Sequence, residues 1–294
     1  MLADGSGAWW FRYLLMNLGR PSGGGCPDDP RGMPVQVWAT WFPRDGGPQS
    51  FIQGFSQETL SLSQSGAHPF QLQINGNRIG EDFCVGRVEV DGHLITWDLR
   101  YRSTFGVSMT EVSWIGFSRT PHSDAIFSGE ITFDGHRFQG EPLGFGLQGH
   151  NCGFRHRHRW TWAHCLAFDP VGRISTFEAL AYEIPFGLRF KKALLWHEGA
   201  LLTFKKLEPL RREQDEMLWK FKASGSVDGS TLTAIIDGSG PSVHRLPYLK
   251  TDCSGTFEVA NNSLARATLY LNRPGCPQEE ISTDGGAVLE MVGD

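Results

Sequence analysis

The residues best suited to chemistry lie in the run Gln148-Gly149-His150-Asn151-Cys152-Gly153-Phe154-Arg155-His156-Arg157-His158-Arg159-Trp160-Thr161-Trp162-Ala163-His164-Cys165. From Phe154 onward the run alternates strictly, and a period of two is the signature of a strand. As a strand it places His156, His158, Trp160, Trp162 and His164 on one face. Arg155, Arg157, Arg159, Thr161, Ala163 and Cys165 take the other. A buried imidazole needs hydrogen-bond partners for its ring nitrogens, so three imidazoles beside two indoles suit a cavity wall better than a dry core. The arginine row suits a solvated edge.

A second strand is expected over Ile174 to Pro185, with Glu178, Leu180 and Tyr182 on one face. A carboxyl buried among such neighbours has its pKa raised by desolvation and can act as a general acid; an outward Glu beside a cation is the alternative. Asp169-Pro170-Val171-Gly172 supplies a turn between the two strands. Antiparallel pairing across it would bring His164 and Glu178 together.

Other chemistries find less support. His156-Arg157-His158 puts two imidazoles on one face, the minimum for a metal-dependent hydrolase or oxygenase. His164 lies six residues beyond His158, about 20 Å along a strand, too far to join the same ion without a bulge. Cys165 follows His164 directly, but adjacent strand residues point apart, and no nucleophile-elbow motif is present. A non-catalytic carrier of an apolar ligand needs no acid at all and stands as the second reading.

The spacing of Asn151, Gly153, Trp160, Trp162 and Cys165 resembles tocopherol cyclases and, more distantly, the carotenoid 1,2-hydratase (hydroxyneurosporene synthase) group. In tocopherol cyclases an Asn-Trp-Gly turn precedes a basic-Trp-aromatic-Trp strand ending in Gln-Cys-Asn. Here Cys152, His164 and Leu166 stand at the Trp, Gln and Asn positions, and the match spans about twenty residues. The aromatic runs Trp9 to Tyr13 and Val35 to Phe42 resemble the opening hairpin of the same fold.

The resemblance implies two lipocalin-like antiparallel β-barrel or half-barrel domains, divided here as 1–153 and 154–294. It also implies a cofactor-independent, metal-free cyclase, hydratase or isomerase acting on a hydrophobic isoprenoid or polyene near the contact between domains. Protonating a carbon–carbon double bond needs an acid in a dry site and flat rings to face the cation. His164 and Glu178 are then the candidate catalytic residues. His150, Asn151, His158, Trp160, Trp162 and Tyr182 are the candidate substrate-binding residues, around an aromatic-lined cavity.

The surrounding sequence must hold these groups with strands. The 294 residues include 36 Gly, 20 Phe and 10 Trp, a mixture that favours strands joined by tight turns and leaves helix scarce. Asp-Gly between alternating runs signals a type I′ hairpin, and it occurs at Asp91-Gly92, Asp134-Gly135, Asp228-Gly229 and Asp237-Gly238. Looser turns are expected at Asp45-Gly46-Gly47 and Asn75-Gly76. Ile95, Trp97 and Leu99 share a core-bound face. Only Lys205 to Met217 reads as a charged helix or long exposed loop, and residues 20–34 read as a plain Gly/Pro loop.

With 40% hydrophobic and 20% charged residues the chain is expected to fold, and its length suits two domains. A net charge of -5 offers no positive field for a phosphate backbone, so nucleic acid is excluded as a partner. The six cysteines lack a CxxC pair and are expected to be reduced thiols. The apolar run from Trp9 to Met16 is too short and too charged to span a bilayer, which points to a cytoplasmic protein, peripheral to membranes at most.

Overall fold

In a computed structural model of the protein the described residues are 1–16, 32–65, 68–112, 116–153, 159–168, 172–183, 189–210, 217–225, 229–250 and 254–293. Among them there is no α-helix; the chain is built of antiparallel strands in three sheets.

The first sheet joins β1 (Gly7–Leu15), β2 (Val35–Pro43) and β3 (Gln49–Phe55). The second runs through β4 (Leu60–Ser65), β5 (His68–Ile74), β6 (Asn77–Gly80), β7 (Phe83–Val90), β8 (His93–Arg102), β10 (Gly116–Phe133) and β11 (His136–Gly153), with β9 (Val107–Val112) also paired to β10. This sheet curls into a half-barrel whose open side receives the first. Period two explains how the aromatic β1 serves both sides. Trp9, Phe11 and Tyr13 pack into the half-barrel, while Trp10 and Leu14 turn the other way toward Trp38, Tyr248 and Val292.

The third sheet contains β12 (Trp160–Phe168), β13 (Ile174–Glu183), β14 (Arg189–His197), β15 (Ala200–Pro209), β16 (Leu218–Gly225), β17 (Thr231–Asp237), β18 (His244–Leu249), β19 (Thr256–Asn272) and β20 (Glu279–Val292). Because β17 pairs with both β16 and β19, eight of these strands close into a barrel, and β18 extends it at β19. An eight-stranded barrel is just wide enough to be filled by side chains. It is filled here by small residues such as Ala163, Ala179 and Ala193 set against Phe177, Phe204 and Phe221. The two lipocalin-like units expected from sequence are thus a curled half-barrel and a closed barrel.

The turn chemistry follows φ. Asp91 and Gly92 (φ 53° and 83°) and Asp134 and Gly135 (φ 48° and 84°) make the tight hairpins β7–β8 and β10–β11. Asn75-Gly76, expected as a looser turn, adopts the same geometry (φ 45° and 86°) between β5 and β6. Asp237-Gly238 departs from expectation. Gly238 is not left-handed and the chain leaves the sheet there, with Asp237 bonded to Ser239 and Arg266 instead. Glu198-Gly199 makes a hairpin turn that no Asp or Asn announced.

The expected charged excursion from Lys205 is strand as far as Pro209, held by pairing of β15 with β16; 211–216 lie outside the described residues. Cys84, Cys152, Cys165 and Cys276 are free thiols. No helix among the described residues is long and apolar enough to cross a membrane.

Candidate functional site

The strand Trp160–Phe168 alternates as its sequence dictates, but the barrel closes on the opposite side from the one expected. Ala163, Cys165 and Ala167 fill the barrel. Trp162, His164, Glu178 and Leu180 therefore stand on its outer surface, and the enclosed cavity predicted for this face is not inside the barrel. Small residues fit the tightly curved interior, and the larger ones are buried instead by the half-barrel laid against them. Pairing across β12 and β13 makes His164 and Glu178 direct partners and sets Trp162 opposite Leu180 and Trp160 opposite Tyr182.

The covering element is the first half of β10. Register shifts between Arg119 and His122 and between His122 and Ala125 break its pairing with β11, and such bulges re-aim side chains. Thr120 and Ser123 turn to the barrel. Thr120 Oγ1 donates to Glu178 Oε1 at 3.0 Å, and Trp162 Nε1 donates to the same oxygen at 3.0 Å. Glu178 Oε2 is buried with no hydrogen-bond partner. Burial pushes the Glu178 carboxyl up to about 6, against the lowering influence of Trp162, Thr120 and the nearby Lys192. Lys192 donates to the carbonyls of Ser108 and Met109 at 3.0 and 3.4 Å. Both sequence alternatives for Glu178 therefore hold in part: it is buried, and a cation stands near it.

His164 is only 2% exposed. Burial lowers its imidazole to about 4, so it is neutral near pH 7. Its Nε2 lies 2.8 Å from the Ser123 carbonyl, which an unprotonated ring satisfies by carrying its hydrogen there. The ring lies near-parallel to Trp162 at 6.4 Å between centroids. His164 is thus a neutral, buried ring whose Nε2 is held at the Ser123 carbonyl.

Asp124 clamps the same junction from outside. Its carboxylate accepts from the Thr104 amide (3.0 Å), the Thr104 hydroxyl (2.5 Å) and the Phe105 amide (3.0 Å). That fixes the β8–β9 connection so that Phe105 stacks on Trp196 at 4.6 Å. Next to Glu178 an apolar wall gathers Met109, Leu180 and Leu194 with Trp162, Tyr182 and Phe190.

The candidate residues thus separate. His164, Glu178 and Trp162 meet at the junction, with Tyr182 at its margin stacked on Phe190 at 5.0 Å. Trp160 turns to a neighbouring patch, donating to Glu290 at 2.7 Å and packing near Phe257. His150 and Asn151 sit on β11 in the other sheet, half-buried and exposed respectively. His156 and His158 lie outside the described residues, along with Arg155 and Arg157. Arg159 is exposed, as an edge residue should be, 3.6 Å from Glu183.

Thr120, Ser123, Asp124 and Lys192 were missed by sequence reasoning. All but Lys192 come from the half-barrel, and no local pattern marks a contact made across sheets. Among the described residues His197, Glu198 and Glu279 could gather about a metal ion. Arg273 already binds both glutamates, so this cluster reads as an ion-pair network.

No protein-family model matches the chain, and no curated protein matches it. Among solved structures it is similar to kievitone hydratase from Nectria haematococca, with a TM-score of 0.55 at 12% identity over 99% of this chain and 90% of that one. It also overlaps a provisionally named AttH protein from Nitrosomonas europaea, with a TM-score of 0.46 at 14% identity over 97% and 92% of the two chains. Together with the strand topology, the first of these likenesses establishes the fold: an all-β chain of two lipocalin-like units.

Proposed function

We propose that the chain is a cofactor-independent lyase of the hydratase type, adding water to a carbon–carbon double bond of a hydrophobic isoprenoid or polyene. One observation carries this reading. Glu178 is buried with one carboxyl oxygen fixed by two donors and the other unpartnered, beside an apolar wall. Burial keeps the proton on this carboxyl to higher pH than usual despite the two donors, and Oε2 is the oxygen left to give it.

In the proposed step Glu178 Oε2–H protonates the alkene carbon, the π electrons forming the new C–H bond. The indole of Trp162 faces the carbocation. Water adds to the cation, and the proton it sheds returns to the Glu178 carboxylate. His164, neutral and bonded to Ser123, is a positioning residue that shapes the floor beside Trp162. The similarity in fold to a hydratase supports the reaction class without naming this chain's substrate.

The test is conversion of acyclic isoprenoid alkenes in ¹⁸O-labelled water, read by mass spectrometry. The expected result is a product heavier by one labelled water, lost in Glu178→Gln. Water addition that persists in that variant, or tight binding of the unchanged alkene with no turnover, would overturn the reading; the second result identifies a carrier.

A further inference from the structure

The bulged segment of β10 has a second face. While Thr120 turns to the barrel, Arg119 and His122 pair with His150 and Gln148 of β11, and the His122 ring meets Tyr101 of the half-barrel core. The floor there is aromatic. Tyr101 lies 5.2 Å from both the His122 ring and the Phe127 ring, and Phe70 meets the His150 ring edge-on at 5.0 Å.

Two acceptors on β11 neighbour these rings, Gln148 paired with His122 and His150 against Phe70. Gln148 is 6% exposed; its Nε2 donates to the Gly80 carbonyl at 3.0 Å, which fixes the amide, and its Oε1 is buried with no hydrogen-bond partner. An unpaired buried carbonyl oxygen is costly, and a ligand that donates to it recovers that cost. His150 is the second. Burial, reinforced by electrostatic interaction with His122 and Arg119, holds its imidazole below the usual value, so near pH 7 it offers a lone pair. Ser103 meets His122 Nδ1 at 2.6 Å and fixes that ring.

We infer that this end of the half-barrel binds the hydroxylated ring of an aromatic ligand, the ring lying among Phe70, Tyr101 and His122 and its hydroxyl donating to Gln148 Oε1. The site is distinct from the Glu178 junction, on the opposite face of the same strand, and does not depend on Glu178 being an acid. A flat donor suits it better than a carboxylate, because a carboxylate would meet the Gln148 oxygen with a second acceptor.

The probes are 2-naphthol and naphthalene, which differ by the hydroxyl alone, titrated by calorimetry into the full chain. The expected result is a preference of about tenfold for 2-naphthol, the size of one well-placed hydrogen bond. The preference should vanish in Gln148→Leu while naphthalene binding stays. Gly80 keeps the Tyr101 hydroxyl in that variant, so its carbonyl is not stranded. Should the variant fail to fold, the side-chain amide resonance of Gln148 in the unaltered protein must shift with 2-naphthol and not with naphthalene. Equal affinities, a preference that survives in Gln148→Leu, an unmoved amide resonance, or no binding of either probe overturns the inference. Glu178→Gln should leave the preference intact, which separates this site from the proposed reaction.

Discussion

Thr120 and Glu178, 58 residues apart in sequence, meet where half-barrel and barrel touch, the hydroxyl donating to Oε1 at 3.0 Å. The carboxyl is thereby held between two sheets, with Trp162 on its own side and Thr120 on the other. Glu178→Gln keeps an oxygen for both donors but has no proton to transfer. Turnover should fall by roughly 10²–10⁴-fold, the usual worth of a general acid. Steady-state kinetics beside a melting curve checks this; full turnover in a folded variant would remove Glu178 from the chemistry.

Trp162→Phe should move the pH profile. A hydrogen bond to the carboxylate favours ionisation, so its loss lifts Glu178 above its present value of about 6. The protonated acid then survives to higher pH, and the basic limb of kcat/KM should shift upward. Thr120→Val should act in the same direction, since its hydroxyl lowers the same group. A shift downward would contradict the assignment.

Stability should decline on the acid side through His164. Its folded value of about 4 lies below the usual 6.5, so it contributes stability that is fully present above pH 6.5 and is lost as pH falls through 4. The size is about 3 kcal/mol from the linkage relation. His164→Gln can still donate to Ser123 and does not titrate, so urea unfolding between pH 4 and 7 should give a flatter curve. Glu178 works in the opposite sense. Its raised value contributes stability below pH 4.5 that is lost as pH rises through 6, so Glu178→Gln should be relatively more stable above pH 6.

The closed barrel is packed, and substitutions inside it should cost stability without creating function. Ala179, fully buried among Phe177 and Phe204, has no room for Leu, and overpacking should cost about 1–3 kcal/mol. Phe204→Ala should cost about 3–5 kcal/mol through the cavity it leaves. Denaturant titration measures both. An Ala179→Leu protein as stable as the parent would mean that the barrel holds free volume.

Much of the architecture is local and therefore readable. The alternation from Trp160 to Phe168 specifies a strand and which residues share a side, and Asp91-Gly92 and Asp134-Gly135 specify hairpins, because φ above zero at two successive residues admits few sequences. The same locality makes His164 and Glu178 partners, since only five residues separate the two strands in sequence.

What the sequence by itself determined is this set of strands, their two-sidedness and the pairing of neighbours, all of which depend on residues a few positions apart. Tertiary structure decided which side of Trp160–Phe168 became the inside of a barrel, because that depends on β17 closing on β19, a contact no short window contains. It also decided that Thr120, Ser123 and Asp124 would meet the barrel or clamp the loop beside it, because bulges in β10 aim them there and only packing between sheets selects that arrangement. Backbone periodicity tells a side chain which way to turn; the curvature and contact of whole sheets tell it what it will find.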